Sequence, residues 1–459
     1  MSGRNHYSRA LAFRSEPARA PRHNQAIWKL RESRDAAARL VPDWEALRTR
    51  AAEVKRHTLT HLSAHLTRFE EKALAAGAKV HWAKDAEEHN RIVNKILRDR
   101  GIKRVTKSKS MLTEECKLNE ALAESGITVV DSDLGEFIIQ SSGDRPSHIV
   151  APAAHRSREE IASLLPSSIK IDVDDDERLE TNIVSGVRAH LRPSFLQSEA
   201  GITGVNFAVA ETGTIVVCTN EGNADLGVAI PKLHIASMGI EKVIPRARDL
   251  GVFLRLLARS ASGQPITAYS SHFRGPKPGG ELHIVIVDNG RTEHLASPDY
   301  FRSLSCIRCG ACLNTCPIYR HSGGHSYGYV VPGPIGIILA TLRDPENYAD
   351  LPKASTLCGS CTDVCPVKID LHAQILKLRS RVNQQSGNKL GTTIGLSLFG
   401  FLLARPKIFR SVLNIFLRLT FAIPKQILIF ITRPWSQDRG LPPLPKRRFM
   451  EIYRETHGN

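Results

Sequence analysis

The chain has 459 residues, enough for two or three domains, and its apolar share of 42% is ordinary for a globular protein. A formal charge of +17 invites a nucleic-acid partner, but the basic residues are spread along the chain and no nucleic-acid-binding motif accompanies them, so that class is set aside. Basic density is greatest at the two ends; from Lys389 onward 12 Lys/Arg stand against 3 Asp/Glu, a balance suited to an anionic membrane surface or an acidic partner.

Residues 1–70 read as a basic arm followed by helix. The Arg-rich start carries no apolar core of a secretory signal. From Asp43 a helical spacing runs through Leu47, Val54, Leu59, Leu62 and Leu66. Residues 71–300 form an α/β domain. Short β-rich runs at 79–82, 127–130, 136–139, 148–150, 214–218, 232–235 and 282–287 alternate with helical stretches such as 86–98 and 158–165. This interleaving predicts a largely parallel sheet.

Two places in this domain carry chemical character. Lys107-Ser-Lys109-Ser110-Met-Leu-Thr-Glu-Glu, after a short β-like run and before a helix, suits either an anion held at a helix start or an ordinary Ser110 cap. The run 202–223 places Glu211, Asn220, Glu221 and Asn223 at glycine-punctuated strand ends, where open α/β sheets bind ligands and where plain turns also use Asn and Gly. Lys109, Glu211 and Asn220 are the catalytic candidates. Cys116 and Cys218 read as small buried hydrophobes.

Residues 301–385 hold the other seven of the nine cysteines, in Cys306-Ile-Arg-Cys309-Gly-Ala-Cys312-Leu-Asn-Thr-Cys316-Pro317 and Cys358-Gly-Ser-Cys361-Thr-Asp-Val-Cys365-Pro366. The first run has the C-x2-C-x2-C-x3-C-P spacing of a ferredoxin, in which the fourth cysteine serves the other cluster. Crossed ligation assigns Cys306, Cys309, Cys312 and Cys365 to one cluster and Cys316, Cys358 and Cys361 to a second. Where the second run's remaining cysteine is due, the chain has Ser355. That position is open to a Ser355 oxygen, another side chain or solvent, or it is empty and the cluster holds three irons. Two [4Fe–4S] clusters are expected, the second with a [3Fe–4S] or non-cysteine alternative. A zinc site wants four ligands in two pairs and fits seven cysteines poorly, and the odd count argues against a disulfide framework. Free thiols imply a reducing compartment. Between the runs, His321 and His325 are candidates for the open position, within a glycine-rich stretch that suits a covering loop.

Residues 386–459 form a basic, apolar tail. Its longest uncharged run, 390–404, has 15 residues, short of a membrane span, so a surface-lying amphipathic helix is expected, with packing on the rest of the chain as the alternative. Leu441-Pro-Pro-Leu-Pro445 reads as an extended end.

The ordered set KSKSMLTEE, DLGEFIIQ, PSHIVAPAAH, GITGVNFAVAETGTIVVCTNEGN, PKLHIASMGIEKVIP, ELHIVIVDNGR and the two cysteine runs resembles the lactate utilisation protein B family over residues 40–380. The resemblance implies an α/β LUD domain, similar to CoA-transferase-like folds, joined to an α-helical two-cluster ferredoxin domain. It implies a non-autonomous, cytoplasmic subunit that works with a cysteine-rich protein and a smaller LUD-domain protein to oxidise L-lactate to pyruvate. It also implies the same crossed ligand pattern. The alternative, motivated by the tail, is a dehydrogenase subunit peripheral to the inner membrane that passes electrons from another donor to quinone.

Overall fold

The computed structural model describes residues 5–173, 176–385, 390–422, 426–427, 430 and 449–458. They fall into two compact units, Met1–Val382 and Asn383–Asn459.

The first unit is built on a six-stranded sheet of β1 (Lys79–Ala83), β2 (Arg104–Lys107), β3 (Thr128–Asp131), β4 (Ala200–Gly204), β7 (Leu233–Gly239) and β10 (Glu281–Val287). Its order is β1-β10-β7-β4-β2-β3 and every pairing is parallel. The central strands β4, β7 and β10 are buried almost throughout, as a sheet covered on both faces requires. One face packs against Val93, Leu97, Leu118 and Leu122, the other against Leu66 and Phe69.

A second sheet, β8-β5-β6-β9, comprises β5 (Phe207–Val209), β6 (Thr214–Thr219), β8 (Val243–Ile244) and β9 (Tyr269–Phe273). Its pairings are mixed: β5 runs parallel to β8, and β6 runs antiparallel to β5 and β9.

Two expected strands are something else. Residues 136–139 lie in the helix Leu134–Ser142, which Asp133 opens by accepting from Glu136 N and Gly143 closes at φ 61°. The apolar run Phe137-Ile138-Ile139 is continuous because it is buried, not because it is extended. Residues 148–150 form no strand. The buried His148 ring holds them in a loop: Nδ1 accepts from Val150 N and Ala151 N at 3.0 and 3.1 Å. With Nδ1 accepting, Nε2 donates, at 2.9 Å, to Asn314 Oδ1 in the cysteine segment.

The arm is helical as well: His6–Arg14, Arg19–Arg39 and Trp44–Thr60. Many of its cations turn inward, onto the cysteine segment more than 300 residues away. Arg9 donates to Ser326 O at 2.9 Å, Arg34 to Val364 O at 3.2 Å and Arg48 to Cys365 O at 2.9 Å. Ile27, Trp44 and Leu47 share one apolar core with Phe253 and with Cys309, Cys312, Ile335 and Leu378.

In the second unit the helices Leu390–Leu403 and Pro406–Ala422 leave Leu396, Phe399, Phe401 and Ile415 exposed. No described helix is long and apolar enough to cross a membrane. The expected extended end at 441–445 lies outside the described residues.

Candidate iron–sulfur site and adjoining cavity

The two cysteine runs fold as copies of one loop. Arg308 and Leu357, each just before a cysteine, are left-handed at φ 60° and 56°. Gly310 and Gly359, each just after that cysteine, are left-handed at 79° and 83° and open a short helix. A left-handed backbone is costly for a side chain other than glycine's, and the same pattern at both places marks one imposed shape. In the first loop Cys306 Sγ accepts from Arg308 N at 3.4 Å; in the second Ser355 Oγ accepts from Leu357 N at 3.1 Å. Ser355 therefore occupies the place of Cys306. Cys316 caps the helix Pro317–Ser322, whose first residue is the proline that needs no N–H partner.

The fold brings the seven cysteines into two neighbouring groups. Burial raises the pKa values of the Cys309, Cys312, Cys316, Cys361 and Cys365 thiols, and nearby thiolates raise them further. Cys309 feels Cys306 and Cys365, and Cys312 feels Cys306 and Cys309. Cys361, pushed up to about 12, feels Cys316 and Cys358. Cys312 also feels Cys361, so the groups adjoin. All the cysteines are free thiols, and five of the seven are buried. Cys358 is exposed, and a Thr356 hydrogen bond lowers its pKa. Buried thiols crowded together are poor acids alone; a soft cation that takes them as thiolates relieves both burial and repulsion. This donor set fits iron–sulfur ligation.

Buried tyrosines wall the second group. Tyr319 and Tyr327 are fully buried beside Cys316, and Tyr319 donates to Ser147 O at 2.7 Å. His325 donates to Arg145 O at 2.6 Å and meets the His155 ring edge-on at 4.6 Å, which engages it with the α/β domain.

Next to the first group lies a cavity of about 480 Å³. It opens beyond the C-terminal ends of β2, β3, β4 and β7. There β3 extends the sheet to one side of β2 and β4 returns to the other, the place where open α/β sheets bind ligands. Its wall includes Lys109, Asn220, Lys242, Arg308 and Cys309. Glu211 is not part of that wall; its carboxylate accepts from Ala247 N at 2.9 Å at a helix start. Lys109 donates to Val150 O at 2.9 Å and pairs with Asp133 at 3.4 Å. Asn220 accepts from Ala268 N at 3.0 Å. Ser110 accepts from Thr113 N at 3.3 Å, so the cap reading describes that hydroxyl.

Between cavity and cysteines is a buried ionic network that the sequence reading did not anticipate. Arg291 joins Glu115 at 2.8 Å and Glu241 at 2.7 Å. Arg308 reaches the same two carboxylates at 3.7 and 4.0 Å, and Lys55 donates to Glu241 O. Burial opposes ionisation of Glu241, but Arg291, Lys242 and Arg308 outweigh it and hold the carboxyl at about 2. Gly239 has no room for a side chain: a Cβ there would lie 2.1 Å from a Glu241 oxygen. These residues are scattered along the chain: Glu115, Glu241 and Arg291 follow β2, β7 and β10 of the six-stranded sheet, and Arg308 lies in the first cysteine loop.

Comparison with known proteins agrees with this two-part site. The LUD domain model matches residues 66–293 and the 4Fe-4S dicluster domain model residues 302–369. Lactate utilization protein B of Shouchella clausii is 39% identical over 438 residues, covering 93% of this chain and 91% of its own. The chain belongs to the lactate utilization protein B family. The Bacillus pumilus member is 41% identical over 440 residues, covering 93% of this chain and 92% of its own. A solved DUF162 family protein from Deinococcus radiodurans covers 49% of this chain and 98% of its own, at 16% identity and a TM-score of 0.28. The chain thus joins a LUD domain to a helical domain that carries [4Fe–4S] clusters.

Proposed function

We propose that the chain is the iron–sulfur electron-transfer subunit of a multi-protein system that oxidises L-lactate to pyruvate. The grouping of the cysteines beside a ligand-sized cavity is the observation that carries it; the dicluster match and the relatives' names support it. Cys306, Cys309, Cys312 and Cys365 are assigned to the first cluster. Cys316, Cys358 and Cys361 are assigned to the second, with Ser355 Oγ as its fourth ligand because that hydroxyl repeats the place of Cys306. When bound, such clusters supply one-electron transfer, which suits dividing the two-electron oxidation of a 2-hydroxy acid.

The chain's own residues shape that environment. Arg308 N and Ile369 N donate to Cys306 and Cys365 sulfurs, and hydrogen bonds to ligand sulfur tune potential. Tyr319, Tyr327 and Ile335 exclude water from the cysteines. The partners in this reading are a cysteine-rich protein and a smaller LUD-domain protein, in the cytoplasm.

Anaerobic EPR of the assembled proteins before and after L-lactate tests it. A lactate-dependent reduced-cluster signal is expected; its absence in a cluster-loaded complex rejects the proposal. The exposed apolar residues of the helices Leu390–Leu403 and Pro406–Ala422 favour a second reading, a membrane-peripheral subunit that delivers electrons to quinone. Pelleting with anionic vesicles, lost on removal of residues 383–459, supports that reading; no pelleting of the full chain rejects it.

A further inference from the structure

The cavity contains two cationic groups that the fold leaves without hydrogen-bond partners. Lys242 follows β7, is half-buried and lines the cavity. It makes no hydrogen bond and no ion pair among the described residues. Arg308 lines the same cavity; its Nη1 is buried with no hydrogen-bond partner, and its Nη2 only approaches Glu115 and Glu241, at 3.7 and 4.0 Å. A buried N–H donor left unpaired costs about 1–3 kcal/mol, more when it carries charge. That buried Arg308 donor and the unpaired Lys242 ammonium in one cavity describe a place prepared for an anion.

The rest of the wall narrows the anion. Val150, Val217 and Leu257 give it apolar faces, which suit a carbon skeleton. Asp133 and Glu221 also line it, and their charges disfavour a ligand that is anionic at several points. A volume of about 480 Å³ is in the range of small-molecule sites, roughly 300–1,000 Å³. Cys309 is part of the same wall, so an occupant lies against the first cysteine loop.

We infer that this cavity is a binding site for an organic carboxylate, held at its anionic end by Lys242 Nζ and Arg308 Nη1 against the Cys306–Cys312 loop. Arg308 sits in the cysteine loop and also lines the cavity wall, so a bound carboxylate and the first cluster share Arg308. The cavity then joins the α/β domain to the redox centre. The choice of ligand rests on the proposed lactate function, whereas the site itself requires binding alone.

The test uses the cluster-loaded protein without partners, under anaerobic conditions, with L-lactate, pyruvate and inorganic phosphate as probes. Calorimetry measures binding, and EPR of the reduced protein reports whether the first cluster senses it. At least one carboxylate is expected to bind saturably, more tightly than phosphate, and to alter the EPR spectrum. Lys242→Met is expected to weaken that binding by ten-fold or more at unchanged iron content, and Lys242→Arg to restore it to within a few-fold of wild type.

The inference is overturned if neither carboxylate binds, if phosphate binds as tightly, or if Lys242→Met binds as wild type does. It is equally overturned if Lys242→Met shifts the cluster's potential while the wild type binds no carboxylate, since the cations then serve the cluster alone. Should Lys242→Met fail to fold, the wild-type comparison of carboxylates with phosphate and the EPR change still decide. Carboxylate binding without lactate-dependent cluster reduction in the complex would reject the proposed function and leave this site standing.

Discussion

Replacing Lys107 by methionine isolates the most heavily loaded buried charge in the α/β domain. Lys107 ends β2 with its side chain fully enclosed. Its Nζ lies 2.7 Å from Asp131, 3.2 Å from Glu114 and 3.4 Å from Glu136. Methionine fills nearly the same volume, so the packing of the stem survives and the change is mainly one of charge. Removing one partner of a buried ion pair costs about 3–5 kcal/mol, because the opposite charge stays behind. Here three carboxyl groups stay behind. Burial raises the Glu136 pKa well above the ordinary carboxylate range, which eases the charge left behind and keeps the loss near the middle of that range.

The unfolding entropy of about 2.1 cal/mol/K per residue gives about 0.8 kcal/mol/K for the unit Met1–Val382. A loss of about 4 kcal/mol therefore lowers Tm by about 5 °C. Thermal unfolding of the cluster-loaded protein at pH 7, followed by circular dichroism, measures it. A fall below about 1 °C would refute the reasoning and show that water or rearrangement relieves the carboxylates.

Glu136 also sets a pH dependence. Its folded pKa of about 8 lies above the ordinary 4.5, so the native state holds the proton more tightly than the unfolded chain. The stability from this group is complete below about 4.5 and is lost as pH rises towards 8, so Tm declines over that window. Glu136→Gln should flatten the decline, and an unchanged profile would count against the assignment. Ser355→Ala should yield an oxidised three-iron EPR signal that wild type and Ser355→Cys lack; identical spectra for the three proteins exclude Ser355 as the fourth ligand. Arg48→Met removes the donor to Cys365 O. With charge-assisted hydrogen bonds contributing about 1.5–3 kcal/mol each, iron loss to a chelator should quicken by about ten-fold or more, and unchanged release would show that the carbonyls need no such anchor.

The cysteine loops were legible because ligand spacing is a local property: a few residues determine which sulfurs can meet round one cluster. The parallel sheet was legible where apolar runs are bounded by turns, as at 282–287. It was misread at 136–139, where Asp133 and Gly143 frame a helix around an apolar run of strand length. The second sheet escaped notice because β5 and β8 have three and two residues, too short for a period to register. Of the catalytic candidates, Lys109 came from the helix-start reading and Asn220 from strand-end logic, and both line the cavity; Glu211, from the same strand-end logic, does not. Lys242 and Arg308 have no shared sequence pattern. Their meeting depends on β7 ending beside a loop that begins more than 60 residues later, and no local rule contains that distance.

The helical arm has a consequence for how the protein is made. Arg34 and Arg48 find their acceptors 330 and 317 residues downstream. The ribosome therefore releases the arm long before the carbonyls it binds exist, and contacts of such separation form late. Until residues 358–365 emerge, Arg34 and Arg48 lack these acceptors, although Phe253 and the first cysteine run already offer the arm an apolar surface. Iron loading and the closing of the arm become rival events on the same face of the newborn chain. An arm that closes first seals five buried thiols away from the iron donor; one that closes afterwards locks the metal in.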